Sequence, residues 1–363
     1  MSLTVETVTQ ALAGVIDPNT KKDFVSSKAL KNLRVEGANV SFDVELGYPA
    51  KSQIESLRKA AIDAVKALPG VGNVSANVYQ KIVARAVQRG VKLLPGVKNI
   101  IAVASGKGGV GKSTTAVNLA LALSQEGASV AILDADIYGP SQPQMLGLQG
   151  QQPESVDGST MQPLEAYGIQ AMSIGFMIDV ETPMVWRGPM VVQALEQMLT
   201  QTNWKGVDYL VVDMPPGTGD TQLSLAQKVP VTGAVIVTTP QDIALLDARK
   251  GFKMFEKVSI PILGVVENMS LHICSKCGCE ERIFGEGGGE RMCGDYNVEF
   301  LGGLPLDIQI REQTDSGKPT VVAAPDSRIA DIYRGIARRV GAKVADLALD
   351  HSQKFPSIVI QNT

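Results

Sequence analysis

The chain has 363 residues, 44% of them apolar, with a formal net charge of −3 and a sequence pI near 5.6. That length suits two domains with sizeable cores, and the mildly acidic balance argues against nucleic acid as the main partner. Residues 1–10 lack the apolar block of a signal peptide, and no apolar run is long enough to cross a bilayer, so a cytoplasmic chain with no membrane partner is expected. All four cysteines fall between 274 and 293. In a reducing compartment, thiols clustered in this way point to metal or redox chemistry before structural disulfides.

Residues 1–79 read as a small α+β unit. Residues 4–16 have helical apolar spacing, stopped by Asp17-Pro18. Val40, Phe42, Val44 and Leu46 alternate with polar residues, as a half-buried strand does. Pro49 opens a helix over 50–68, with Ile54, Leu57, Ala61 and Val65 on one face. After Gly70-Val71-Gly72, Val74, Ala76 and Val78 alternate as a second strand. With no cysteine, histidine or glycine-rich loop, this unit reads as a docking module. Residues 80–98 carry Lys81, Arg85, Arg89, Lys92 and Lys98 with no acid among them. A solvated basic linker is the expectation, with a contact for an acidic partner protein as the alternative.

From residue 99 onward, short apolar strands at 100–104, 129–133, 209–212, 234–238 and 262–266 alternate with helical stretches. This is the pattern of an α/β domain with a parallel sheet covered on both faces. Ligands of such sheets bind at the carboxyl ends of the strands, and the informative residues fall there.

Residues 105–114 follow the first of these strands and precede a buried helix. Gly106, Gly111, Lys112 and Ser113 fit the P-loop pattern G-x-x-x-x-G-K-S/T. Backbone N–H groups of Gly106, Lys107, Gly108, Gly109, Val110, Gly111, Lys112, Ser113 and Thr114 are expected to cradle nucleotide phosphates at a helix N-terminus. Lys112 should reach the β/γ-phosphates and Ser113 should ligate Mg²⁺. Lys107 is a second lysine inside the loop. It sits beside the triphosphate, reaches the nucleotide of a facing subunit, or is a solvated loop lysine.

Asp134 and Asp136 follow the second strand and could orient a water or hold a magnesium-bound one; capping the next helix is the plainer role for Asp134. Asp213 ends the run 209–212, the Walker B arrangement, with Gly217 and Thr218 placed to sense the γ-phosphate. Asn268 either reads the adenine edge or simply occupies a turn. Cys274 and Cys277 form C-x-x-C, backed by the glycine-rich stretch 285–289. Three readings stay open: a structural Zn²⁺ site using all four cysteines, a dithiol redox pair, or half of an iron–sulfur cluster completed by a second subunit. His272 reads as a loop histidine.

Lys107 inside the P-loop resembles the signature lysine of the deviant Walker A class, which includes MinD, ParA and the nitrogenase iron protein. Residues 105–114, 134–141, 173–176, 186–189, 213–220 and 268–277 together resemble the Mrp/ApbC family of ATP-dependent iron–sulfur cluster carriers. The similarity spans 95–340, and residues 1–79 look like the MIP18-like domain often fused in front. The resemblance implies a parallel-sheet P-loop NTPase (99–349), a small α+β domain (1–79), the linker 80–98 and a tail at 350–363. It implies an ATP-binding and hydrolysing homodimer that carries a 4Fe–4S cluster to apo iron–sulfur proteins and works with cluster assembly factors. Carried over by position, Cys274 and Cys277 are the cluster ligands. Lys107 contacts nucleotide phosphate across the interface, and Asp136 activates water. Ser113, Asp213 and Asp134 attend Mg²⁺, and Asn268 contacts adenine. Two thiols per chain cannot fill four cluster sites, but two chains can. Cys279 and Cys293 depart from the family pattern and have no assigned role.

Three rivals remain. A positioning ATPase of the MinD/ParA kind needs a basic amphipathic C-terminal helix or a basic DNA surface, whereas 350–363 contains Phe355-Pro356 and no such helix. A reductase like the nitrogenase iron protein has cluster cysteines far apart in sequence. A zinc-stabilised regulatory ATPase would use the thiols structurally.

Overall fold

The computed structural model describes residues 3–87, 91, 93–155, 158–178, 188–274 and 276–349. Arg89, Lys92, residues 186–187 and the 350–363 tail lie outside the described residues.

Helix α1 (Val5–Leu12) starts at Thr4, whose hydroxyl accepts from the Thr7 N–H while the Thr7 hydroxyl accepts from the Thr4 N–H. This reciprocal cap fixes the first turn. Strands β1 (Leu30–Glu36) and β2 (Asn39–Leu46) pair antiparallel; helix α2 (Ile54–Lys66) then crosses to β3 (Val74–Gln80), parallel to β2. The alternating Val40, Phe42, Val44 and Leu46 are all buried, against Leu57, Ala61 and Val65 of α2. Helix α1 ends at Leu12, four residues short of the expected 16.

The segment after β3 is not a solvated tether. Ile82 and Leu94 sit in the core of the larger unit. Arg85 is buried, and its Nη1 donates to Leu347 O at 3.0 Å. Charge spacing alone could not show this, because the carbonyl that receives the guanidinium lies more than 250 residues away.

The larger unit begins with β4 (Val97–Ala104), three residues earlier than expected, and α3 (Lys112–Gln125). Next come β5 (Val130–Asp134), α4 (Gln142–Met145), β6 (Leu164–Ala166), β7 (Ile169–Ser173), α5 (Gly188–Gln201) and β8 (Val207–Asp213). Then follow α6 (Asp220–Lys228), β9 (Gly233–Thr238), α7 (Asp242–Lys257) and β10 (Ile262–Glu267). The short pair β11 (His272–Ile273) and β12 (Glu280–Glu281) precedes α8 (Gly288–Tyr296) and β13 (Phe300–Gly303). Helices α9 (Ile308–Asp315), α10 (Thr320–Ala323) and α11 (Arg328–Asp346) complete the unit.

Its sheet runs β13-β10-β9-β4-β8-β5-β7-β6, parallel throughout except for the β6–β7 edge pair. Strands β8 and β9 are buried along almost their whole length, as a sheet covered on both faces requires. Strand β4 lies at the centre with β8 and β9 on either side, so the loop after β4 opens at a crevice where the strand order changes direction. Helix α3 is buried nearly all round, from Thr115 to Leu123, and α11 packs along it.

The two units meet at the far end of α3. Glu126, just past that helix, has no exposure. Its carboxylate accepts from the Ser52 N–H at 3.0 Å and the Ser52 hydroxyl at 2.7 Å, and it pairs with Arg338 of α11.

Candidate functional site

Parallel pairing sets the site. Val103 of β4 and Asp134 of β5 both stand in register with Asp213 of β8. Two carboxylates and the start of the P-loop are thereby brought to one strand-end level. Asp213 is fully buried, and Lys112, itself 6% exposed, pairs directly with its Oδ1. The same ammonium donates to Ser113 Oγ at 3.1 Å. A lysine placed between a hydroxyl and an acid is well positioned to exchange those partners for phosphate oxygens.

Asp134 was expected near Mg²⁺, but its oxygens face elsewhere. Oδ1 accepts from Asp136 N at 3.1 Å. Oδ2 accepts from Ser141 N and Gln142 N, each at 3.0 Å, and from Ser173 Oγ at 3.2 Å. Burial, aided by the neighbouring Asp213 carboxylate, drives its pKa upward. Asp134 is thus the organiser of the 136–142 loop. Asp136 rides on that loop, half-buried, with its own pKa raised chiefly by burial.

Gln142 had no place in the sequence reading. Its Nε2 donates to Asp213 Oδ2 at 2.9 Å and to Ser113 O at 3.2 Å, which fixes the amide orientation because both partners are acceptors. Its Oε1 is then left buried without a partner. The donor set suits magnesium: a hydroxyl and a carboxylate are hard oxygen ligands, and Oε1 beside them is an acceptor for metal-held water. A glutamine eight residues past a strand end carries no motif, so neither spacing nor composition could have flagged it.

Lys107 is half-exposed, and its carbonyl accepts from Ser105 Oγ at 2.9 Å. No carboxylate pairs with its ammonium among the described residues. The loop after β8 touches the P-loop through Gly217 N, which donates to Ser105 O at 3.0 Å. Asn268 turns toward the P-loop as well, its Nδ2 donating to Val110 O at 2.9 Å.

The cysteines lie on the same carboxyl side, past β10. In the β11–β12 hairpin, His272 faces Glu281 and Ile273 faces Glu280. Cys274 N donates to Cys279 O at 2.9 Å, and Gly278 N to Cys274 O at 2.8 Å, which closes a tight turn. The nearby backbone N–H groups of Cys277 and then Lys276 favour the charged form of Cys274 and hold its pKa below the usual thiol value. Cys277 and Cys279 are exposed. Cys279 instead has its pKa raised, mainly by the Glu281 carboxylate. Cys293 is buried in α8, where desolvation pushes its thiol up to about 12. It is not part of the exposed turn. Among the described residues, no group of three or more His, Cys, Asp or Glu side chains is arranged to hold a metal within one chain. A four-cysteine zinc site therefore finds no support. His272 Nδ1 bonds to Leu306 O at 3.0 Å, a structural contact.

Comparison with known proteins places this geometry. Residues 96–341 match the family described as ParA, NUBPL iron-transfer P-loop NTPase. The chain belongs to that family. A second match, over residues 5–78, is to the family described as iron-sulfur cluster assembly protein. The chain is 60% identical over 275 residues to the iron-sulfur cluster carrier protein of Pseudomonas fragi, covering 76% of this chain and 96% of that one. It is 50% identical over 340 residues to the iron-sulfur cluster carrier protein of Escherichia coli K12, covering 93% and 91%. Among solved structures, the nucleotide-binding protein of Archaeoglobus fulgidus in complex with ADP superposes with a TM-score of 0.57 at 34% identity, covering 66% of this chain and 93% of that one. Among the described residues of the chain, no helix is long and apolar enough to cross a membrane.

Proposed function

We propose that this P-loop NTPase binds and hydrolyses ATP in order to carry a 4Fe–4S cluster, held by Cys274 and Cys277 of two copies, and to pass it to apo-proteins. The observation that carries the reading is the turn at Cys274. The turn closed by Cys274 N on Cys279 O and Gly278 N on Cys274 O sets backbone N–H groups near the Cys274 thiol, which biases it toward thiolate, the form that binds iron, and its exposed neighbour Cys277 completes a two-sulfur edge. The cluster is cargo, so an open edge that a recipient can reach suits release.

Two thiols supply half the ligands of such a cluster, which makes the working unit a homodimer. Residues 106–114 wrap the phosphates, Lys112 leaves Asp213 for the β/γ-phosphates, and Asn268 borders the loop. Ser113 and Asp213 would hold magnesium, which when bound would neutralise charge on the triphosphate. Asp134 acts behind them, shaping the loop on which Asp136 reaches the attacking water. Lys107, unpaired by any acid within its own described chain, is available to the partner's nucleotide. Residues 1–79 serve as the docking unit for assembly factors or acceptors, 80–98 as a strap, 99–349 as the ATPase and 350–363 as a tail. The cytoplasm, where thiols stay reduced, is the fitting compartment.

Anaerobic reconstitution with iron and sulfide tests this. About four irons per two chains are expected in the wild type, with transfer to an apo-acceptor, and both are lost in Cys277→Ser. Equal cluster binding and transfer by the two proteins, or a zinc-loaded protein with no iron–sulfur absorbance, would overturn the reading.

A further inference from the structure

The last residue of strand β10, Glu267, and the residue after it, Asn268, reach opposite ways. Asn268 holds the P-loop: its Nδ2 bonds Val110 O and fills the space where a Cβ on Gly111 would stand. Glu267, 3% exposed, holds the segment after the cysteine hairpin: its Oε2 accepts from Gly289 N at 2.6 Å, near the start of α8. The fit there is tight. A Cβ on Gly289 would lie 2.9 Å from that oxygen, so the carboxylate and the helix start cannot shift independently. Burial raises the Glu267 pKa, the mark of an acid kept out of water with few partners.

A second path runs alongside. Gly106, which opens the P-loop, rests against the α7 backbone at Asp247 and Ala248. One turn earlier on α7, Leu245 packs where a Cβ on Gly288 would lie 2.7 Å away. The P-loop and the head of α8 therefore touch the same two elements, the end of β10 and the first turns of α7. Between the hairpin, ending at Glu281, and α8, beginning at Gly288, lies a short link in which Gly285 and Gly287 both have positive φ. The link is tied down at both ends: Gly285 N donates to Arg282 O at 3.1 Å, and Arg291 Nη1 of α8 donates to Glu286 O at 2.7 Å, so a displacement of α8 draws the chain next to the hairpin with it.

We propose that Glu267 is a positioning residue that, with Asn268 beside it, transmits the nucleotide state of the P-loop to the cysteine turn by setting where α8 begins. Triphosphate drawn into the loop repositions the Val110 carbonyl, Asn268 follows, and the Glu267 carboxylate carries the Gly289 N–H with it. The coupling works because both ligands, nucleotide and cargo, then favour different placements of one shared element. The inference rests on Cys274 and Cys277 being the cargo ligands, but its test uses the cluster-free chain.

Iodoacetamide alkylation of Cys277, followed by mass spectrometry, is measured with and without magnesium and a non-hydrolysable ATP analogue. In the wild type the rate is expected to change by about fivefold or more on analogue binding, the low end of ordinary coupling between sites. Glu267→Ala should bind the analogue as tightly yet lose that response, and Glu267→Gln, which keeps an oxygen for Gly289 N–H, should retain it. A wild-type-sized response in Glu267→Ala, or none in the wild type, would overturn the proposal. Should Glu267→Ala fail to fold, amide hydrogen exchange of 285–292 in the wild type decides: a change in protection on analogue binding supports the relay, and none refutes it. Failure to bind cluster would sink the carrier reading while leaving these thiol rates interpretable.

Discussion

The carboxamide of Gln142 donates to the carboxylate of Asp213 at 2.9 Å and ties it to the first turn of the P-loop helix through Ser113 O. In Gln142→Leu this bond to a charged group is lost. ATP hydrolysis should fall about tenfold, the equivalent of ~1.4 kcal/mol. The magnesium concentration for half-maximal rate should rise as well, because Oε1 no longer accepts from metal-held water. Phosphate release measured across a magnesium titration checks both; an unchanged magnesium dependence would leave Gln142 a packing residue.

The two P-loop lysines should separate. In Lys112→Ala, Asp213 and Asp134 are left buried without the cation between them and phosphate, so nucleotide binding should disappear and the fold should lose about 3 kcal/mol or more. Lys107→Ala touches no buried acid. It should keep nucleotide binding, read with a fluorescent ATP analogue, while hydrolysis drops about a thousandfold, as for a cation withdrawn from a phosphoryl-transfer site. Normal turnover in Lys107→Ala would demote it to an ordinary loop lysine.

The cysteines should differ in their response to pH. Thiolate, the reactive form, accumulates above the pKa. Cys274, held below the usual thiol value by the nearby backbone N–H groups of Cys277 and Lys276, should begin to react with iodoacetamide at lower pH than Cys279, which Glu281 holds above it. Cys293, buried and pushed up to about 12, should stay unmodified at pH 8 until the protein is denatured. Peptide mapping of alkylation from pH 6 to 9 reads all three.

Glu126→Ala should weaken the union of the two units. It leaves Arg338 without its acid and Ser52 without its acceptor, at a cost of about 3 kcal/mol. The thermal midpoint should drop, and limited proteolysis should cut between 80 and 98 where the wild type resists. The double variant Glu126→Gln with Arg338→Met should recover part of the loss, since no uncompensated buried charge remains.

Much of this architecture was legible in the sequence, for reasons that are local. The strand, glycine-rich loop and buried helix around Lys112 announce themselves because phosphate binding needs neighbouring residues in a set order. The five central strands are visible because both faces of a covered sheet demand apolar side chains. Strand β1 escaped: a bulge between Lys31 and Arg34, with Asn32 at positive φ, breaks the alternation that would betray it. The capping role of Asp134 was among the sequence readings, but the roles of Gln142 and Glu267 escaped for another reason. Each is defined by a partner on a different strand or helix, and no spacing rule reports which way a strand-end side chain turns. The burial of Arg85 was hidden likewise, by a partner at the other end of the chain.

The placement of Ser52 on Glu126 has a mechanical consequence. Helix α3 is 14 residues long, about 21 Å, with the phosphate cradle at its head and the N-terminal unit clamped to its foot. A buried helix of that length is a rigid strut. The N-terminal unit is therefore a fixed outrigger and not an arm swinging on a cord. A protein docked there would keep one bearing and one distance relative to the nucleotide, so reach would come from the visitor's own shape rather than from slack between the two units.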